Sequence, residues 1–354
     1  MRTPIRHRGV AVALLAALTA TACGGGAPSD IPEPRSSAAP TAETTIATGL
    51  DAPWSIAFAD GAPLVSERDR GRVVEIVDGK PREVGRIEGV AARGEGGLLG
   101  IAVHAGDLFA YLTTATDNRI ARMPLLGTPG ARTLGPARTI LTGLPAASIH
   151  NGGRIAFGPD GMLYATVGDA GRPDDAQDPR ALGGKILRMA ADGTRPADNP
   201  FPDSLVYSLG HRNAQGLAWA PDGALYASEF GQNTWDELNL IRAGANYGWP
   251  VVEGIGRREG FADPLQQWDT SSASPSGIAV VGTDLLIANL RGERLRTVPL
   301  AATGTATEQY REALGRLRDV VRAPDGSAWI LTNNTDGRGD PRPGDDRIVR
   351  MGPR

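Results

Sequence analysis

The chain has 354 residues, with 37 Lys and Arg against 40 Asp and Glu, giving a formal charge of −3. No basic patch interrupts this near-neutral balance, which leaves nucleic-acid binding without support. The single cysteine, Cys23, excludes an internal disulfide.

At the N-terminus, Arg2, Arg6, His7 and Arg8 precede a short apolar run, Val10 to Leu18, too short to span a bilayer as a mature helix. The small residues Ala20-Thr21-Ala22 then lead into Cys23. Residues 1–22 read as a secretory signal and Cys23 as the lipidated residue of a bacterial lipobox, with Ala20 where a leucine is usual. The plainer alternative is ordinary secretion with a chance cysteine. Gly24-Gly25-Gly26 and a Pro/Ser/Ala/Thr-rich stretch make residues 23–45 a flexible tether. The expected location is the extracytoplasmic face of the membrane, reached only through a lipid on Cys23. Of the 37 basic residues only Lys80 and Lys185 are lysines, so cationic chemistry falls to arginine.

Residues 46–354 carry an internal repeat of an apolar strand, a turn often spelled Pro-Asp-Gly, and a second apolar strand. Its starts, Ile56, Ile101, Ile155, Leu217, Ile278 and Val320, are spaced 45, 54, 62, 61 and 42 residues apart. A period of ~40–50 residues suits a four-stranded blade. The 47 glycines and 27 prolines favour an all-β chain with many tight turns. The predicted fold is therefore an all-β, six-bladed β-propeller.

Two polar cassettes lead into copies of the repeat: His150-Asn151-Gly152-Gly153-Arg154 and Gly210-His211-Arg212-Asn213. His150 and Arg212 each stand five residues ahead of a strand start, and equal phase places them on one rim. The same topology sends Glu95 into the second inner strand and sets Asp169, Gly231 and Arg291 just after the second strands of later blades. All six are expected around one mouth of the central channel.

His150 is a candidate general base, since histidine titrates nearest neutrality, and Asp169 a group to orient it. The alternative is a structural histidine in a loop. Arg212 and Arg291 can form a bidentate clamp for carboxylates, or else salt bridges between blades. The segment from Gly231-Gln232 through Asp236-Glu237, followed by Asn246-Tyr247-Gly248-Trp249-Pro250, is dense in hard oxygen donors and suits Ca²⁺ rather than Zn²⁺, or is simply a polar turn.

From about Leu50 to Arg350 the chain resembles the soluble PQQ-dependent sugar dehydrogenases. The resemblance rests on Leu50-Asp51-Ala52-Pro53-Trp54, Gly94-Glu95-Gly96-Gly97-Leu98-Leu99-Gly100, the two cassettes, Leu182-Gly183-Gly184-Lys185-Ile186-Leu187-Arg188, Asp236-Glu237-Leu238-Asn239-Leu240-Ile241 and Asn246-Tyr247-Gly248-Trp249-Pro250. It implies that His150 takes the proton of the sugar's anomeric hydroxyl, with Asp169 supporting it. It places Arg212, Asn213, Arg291 and Glu95 around the quinone. The carbonyls of Gly231 and Gln232 fall on ligands of a Ca²⁺ touching the cofactor, and Glu237 and the Tyr247 carbonyl on ligands of a second, structural Ca²⁺. Glu95 stands where the glucose-specific branch has a glutamine, and a carboxylate there must be paired or protonated beside an anionic cofactor. That branch also uses a late lysine, for which an arginine is the available substitute. The short loop from Ala170 to Leu182 is closer to the broad aldose-dehydrogenase branch. The expected activity is oxidation of aldoses to lactones, with electrons leaving to an external acceptor. Other readings are a Ca²⁺-dependent lactonase and a carbohydrate-binding or adhesion propeller without cofactor.

Overall fold

The computed structural model describes residues 43–352. The signal segment, Cys23 and most of the tether lie outside them. Within the described residues, six antiparallel sheets follow one another along the chain, with two short 3-10 turns and no α-helix. Each sheet is a blade whose innermost strand contains one of the predicted starts. These are Pro53–Ala59, Leu98–His104, Ile155–Phe157, Ala214–Trp219, Pro275–Val281 and Leu317–Arg322, in blades 1 to 6. The expected six-bladed β-propeller is the observed fold.

Alternation along each strand makes the blades stack. Leu64, Val73, Leu98 and Leu108 fill the space between blades 1 and 2, and Leu286, Leu295, Val320 and Ile330 do the same between blades 5 and 6. Pleated sheets expose two faces, so a ring buries both against neighbours and leaves only short edges to solvent.

The ring is closed by its own first strand. Thr44–Ala47 pairs antiparallel with Ile348–Arg350 and forms the outer edge of blade 6. Thr44 and Thr45, assigned to the tether on composition, thus belong to the propeller. Their polar sequence resembles the linker, and only the partner strand, 300 residues away, makes them β.

At the axis the inner strands meet around Arg154, 6 % exposed. Its guanidinium lies over the Trp54 ring at 4.4 Å and donates to Ser55 Oγ (3.0 Å), the Gln215 carbonyl (2.9 Å) and Asp319 Oδ2 (3.0 Å). One side chain therefore ties blades 1, 3, 4 and 6. Asp319 also accepts the Ile56 N–H at 3.1 Å. Gly277 lets blade 5 approach this carboxylate: a Cβ there would lie 1.8 Å from Asp319 Oδ1.

Removing one member of a buried pair strands the other charge, at a cost of about 3–5 kcal/mol. Arg154→Met should lower the free energy of urea unfolding by that amount, and adding Asp319→Asn should recover part of it.

Candidate functional site

The loops entering the inner strands and those leaving the second strands do gather at one mouth of the channel, joined by a chain of hydrogen bonds. His150 has a left-handed backbone, φ 53°. Its N–H donates to Glu95 Oε2 at 2.9 Å, while the Glu95 N–H donates to the Ser148 carbonyl at 2.9 Å. The His150 imidazole meets Asp169 through Nδ1 and Oδ1 at 2.7 Å. Asp169 is 1 % exposed, and its N–H bonds to the Arg212 carbonyl at 2.9 Å. Asn213 Oδ1 accepts the Gly152 N–H at 3.0 Å, which locks the two polar cassettes together.

Asp169 is held from every side. Its second oxygen accepts the Trp249 indole N–H at 2.8 Å, and Oδ1 also takes the Gly171 N–H at 2.8 Å. Burial works against the carboxylate, but the bonds from His150, Gly171 and Trp249 prevail and hold its pKa below the ordinary value. An ionised Asp169 assigns the imidazole proton to Nδ1. His150 Nε2, with no partner among the described residues, is then the free basic nitrogen.

Arg212 is 8 % exposed, and among the described residues its guanidinium donates only to neutral oxygens: Gly231 O at 2.5 Å, Phe230 O at 3.2 Å, and Gln232 Oε1 from both Nε (2.9 Å) and Nη2 (2.6 Å). Its guanidinium also lies 5.4 Å from the Trp249 ring. The loop that presents these oxygens is shaped by two acids. Glu253 Oε1 collects the N–H groups of Gln232, Asn233, Thr234 and Trp235, and Asp236 accepts the Gly231 N–H at 2.8 Å. Gly231 is required here, because a Cβ would sit 1.7 Å from the Trp235 carbonyl.

Beside this chain opens a cavity of about 320 Å³ lined by five arginines, Arg68, Arg291, Arg316, Arg318 and Arg338, and by Glu95. Two further carboxylates stand by: Asp336, 3.4 Å from Arg316, 3.8 Å from Arg318 and 3.9 Å from Arg68, and Asp69, which pairs with Arg68 at 2.6 Å. Arg291 is exposed and makes no hydrogen bond or ion pair among the described residues. Burial pushes the Arg318 pKa down to about 9 against the pull of Asp336, and the nearby Arg68, Arg316 and Arg154 lower it further. A cavity so rich in guanidinium selects an anion.

Glu237 and Tyr247 lie apart from the rim. Glu237 sits on the third strand of blade 4, directly across from Glu229, and has no basic partner. Burial, and then Glu229, pushes its pKa up to about 8. Tyr247 stacks on His211 at 4.7 Å, and His211 bridges Ser208 Oγ and Glu229 Oε2, both at 2.8 Å. The Ser208–His211–Glu229 chain has the composition of a hydrolytic triad, but exposures of 0 %, 0 % and 4 % give it no access to substrate. It serves as a support, since Glu229 also accepts the Arg212 N–H.

Sequence reasoning missed Arg316, Arg318 and Arg338. The first two had a signal, since they enter the sixth inner strand as Arg212 enters the fourth. Arg338 had none, because it lies in the long loop between Ala328–Thr332 and Ile348–Arg350. The alternative for Arg212 and Arg291, salt bridges between blades, is not found among the described residues.

Fold and site define a propeller with an axial anion pocket beside a carboxylate-backed histidine. The chain belongs to the glucose/sorbosone dehydrogenase family, whose model matches residues 50–342. It is 49 % identical, with a TM-score of 0.84, to the PQQ-bound aldose sugar dehydrogenase of Streptomyces coelicolor, covering 88 % of this chain and 99 % of that one. A putative oxidoreductase (glucose dehydrogenase) of Thermus thermophilus is 40 % identical with a TM-score of 0.82, over 88 % and 99 %. An aldose sugar dehydrogenase of Escherichia coli is 28 % identical over 81 % of this chain and 89 % of its own.

A carboxyl with a lowered folded pKa contributes stability that is fully present above its ordinary value of 3.8 and lost as pH falls through the folded value. Asp169→Asn should cost about 2 kcal/mol at pH 7, as expected for hydrogen bonds to a charged group. In thermal melts the gap between variant and wild type should close as the pH is taken below 3.8.

Proposed function

We propose that the protein is an exported, lipid-anchored quinoprotein that oxidises the anomeric carbon of aldoses to lactones. It would use PQQ and Ca²⁺ and pass its electrons to an external acceptor. The arginine-lined cavity beside the Glu95–His150 turn carries this reading: a planar tricarboxylate is the kind of anion that a cavity lined by five arginines fits. The 49 % identity to a PQQ-bound aldose sugar dehydrogenase supports it.

The residues present fit both cofactors. Asn213 is 0 % exposed and its Nδ2 has no partner, a buried donor that a quinone oxygen would satisfy. Arg291, Arg316 and Arg318 would meet the carboxylates. The Gly231 carbonyl and the Gln232 side-chain oxygen already face a cation, the Arg212 guanidinium, so their donor character suits Ca²⁺ once that group turns to the quinone, with the Gln232 carbonyl as the further expected ligand. No three His, Cys, Asp or Glu side chains converge as a metal cluster among the described residues, so neutral oxygens would dominate this coordination. Glu237, opposite Glu229 and without a basic partner among the described residues, would hold a second Ca²⁺, for which the Tyr247 carbonyl would be a further ligand.

When bound, the quinone supplies an electrophilic carbon for hydride and Ca²⁺ polarises its carbonyl. The chain itself moves the proton. His150 Nε2 accepts it from the anomeric hydroxyl, and Asp169 stabilises the imidazolium that forms. Trp249 keeps the carboxylate in place, since its indole N–H occupies the other oxygen.

Reconstitution with PQQ and Ca²⁺ should give dye-linked oxidation of glucose, maltose or xylose, abolished by chelator and restored by Ca²⁺. His150→Gln should lower kcat about 10²–10⁴-fold, the worth of a positioned base. Folded protein that neither binds PQQ nor turns over sugar would overturn the reading, and lactone hydrolysis without oxidation would favour a lactonase.

A further inference from the structure

We propose that Arg338 and Glu95 form a positioning latch, in which the guanidinium neutralises the carboxylate that fixes the His150 backbone. The proposal rests on the base role given to His150 above and deepens it. Arg338 Nη1 lies 3.2 Å from Glu95 Oε1, while Glu95 Oε2 holds the His150 N–H at 2.9 Å. A single carboxylate therefore connects the loop of blade 6 to the loop that carries His150. Both partners line the anion cavity, so the pair spans its wall.

Three observations give the latch its purpose. The first is strain: His150 has φ 53°, a conformation costly for a residue with a Cβ. It persists only where its surroundings over-determine it, and the Glu95 carboxylate is one such constraint. The reciprocal bond from the Glu95 N–H to Ser148 O fixes the same turn from its other side.

The second is charge. A bare carboxylate in a cavity built for an anion would repel that anion. Arg338 cancels it at contact distance, leaving Arg68, Arg291, Arg316 and Arg318 in excess over Asp69 and Asp336.

The third is rigidity. Arg338 is half-exposed, yet its loop is anchored. Its N–H bonds to Asp336 Oδ1 at 3.0 Å, and the buried Asp346 accepts from Thr332, Asn334 and Thr335. The guanidinium is therefore carried by a fixed support. Arg338 is a positioning residue: it acts on His150 through Glu95, and its contacts do not include the histidine.

The test uses the full-length chain in two ways. In the cofactor-free protein, amide hydrogen exchange of the segment containing His150 should be about tenfold faster in Arg338→Gln, as the freed carboxylate releases the His150 N–H. Arg338→Lys, which keeps the charge, should restore most of the protection. In PQQ titrations followed by absorbance, Arg338→Gln should weaken binding about tenfold, and Glu95→Gln should bind as tightly as wild type or tighter. The double variant should return close to wild type, and kcat of Arg338→Gln should fall with the sugar KM little changed. Unaltered exchange at His150 in Arg338→Gln, or losses that simply add in the double variant, would overturn the latch. Exchange that behaves as expected in a protein that never binds PQQ would leave the latch standing and remove the quinoprotein reading instead.

Discussion

Six sheets that surround an axis need something to hold their inner strands in register, and in this chain that group is Arg154. Its guanidinium stacks on Trp54 and reaches Ser55, Gln215 and Asp319, so four blades share one cation. Apolar side chains from four directions would fill the same space without fixing how the blades are rotated about it. A buried cation with directional donors fixes that rotation, because each blade must offer its acceptor at one place. The rim loops inherit their positions from it. Arg154 closes the cassette that begins with His150, and Gln215 follows Asn213 by two residues.

That arrangement explains why charge accumulates toward the mouth. Arg318 and Arg68 extend the arginines from Arg154 toward the mouth, against three carboxylates: Asp319, Asp336 and the Asp69 that pairs with Arg68. The site keeps an excess of guanidinium over carboxylate, with a neutral-oxygen loop and a carboxylate-backed histidine at its edge. Glu95, the residue whose sign conflicts with such a site, is reconciled by Arg338.

The fold was largely legible because the repeat is written in apolar triplets and turns, and all six predicted starts fall within inner strands. Phase within the repeat was equally legible, and brought Glu95, His150, Asp169, Arg212 and Gly231 into one bonded chain. What stayed hidden depends on long-range pairing. Thr44–Ala47 has no signal of its own and becomes a strand only against Ile348–Arg350. Arg338 stands in an irregular loop whose course is set by Asp336, Asp345 and Asp346, so no periodicity points to its partner 243 residues earlier. Arg212 was legible as a rim residue, but its donation to the loop oxygens was not, because that depends on a turn shaped by Glu253 from outside the cassette.

The closing strand has a consequence for how the protein persists once made. The last blade is completed by residues from both ends of the described chain, and it also supplies Arg316, Arg318 and Arg338 to the anion cavity. The other walls come from blades 1, 2, 4 and 5, so the cavity exists only while the seam is shut. Any anion seated there binds the closed ring and not an opened one, and it raises the free energy of opening by RT ln(1 + [L]/Kd). Occupancy of the site thereby acts as a clasp on the seam that closes the ring. The lifetime of the ring becomes a function of ligand supply.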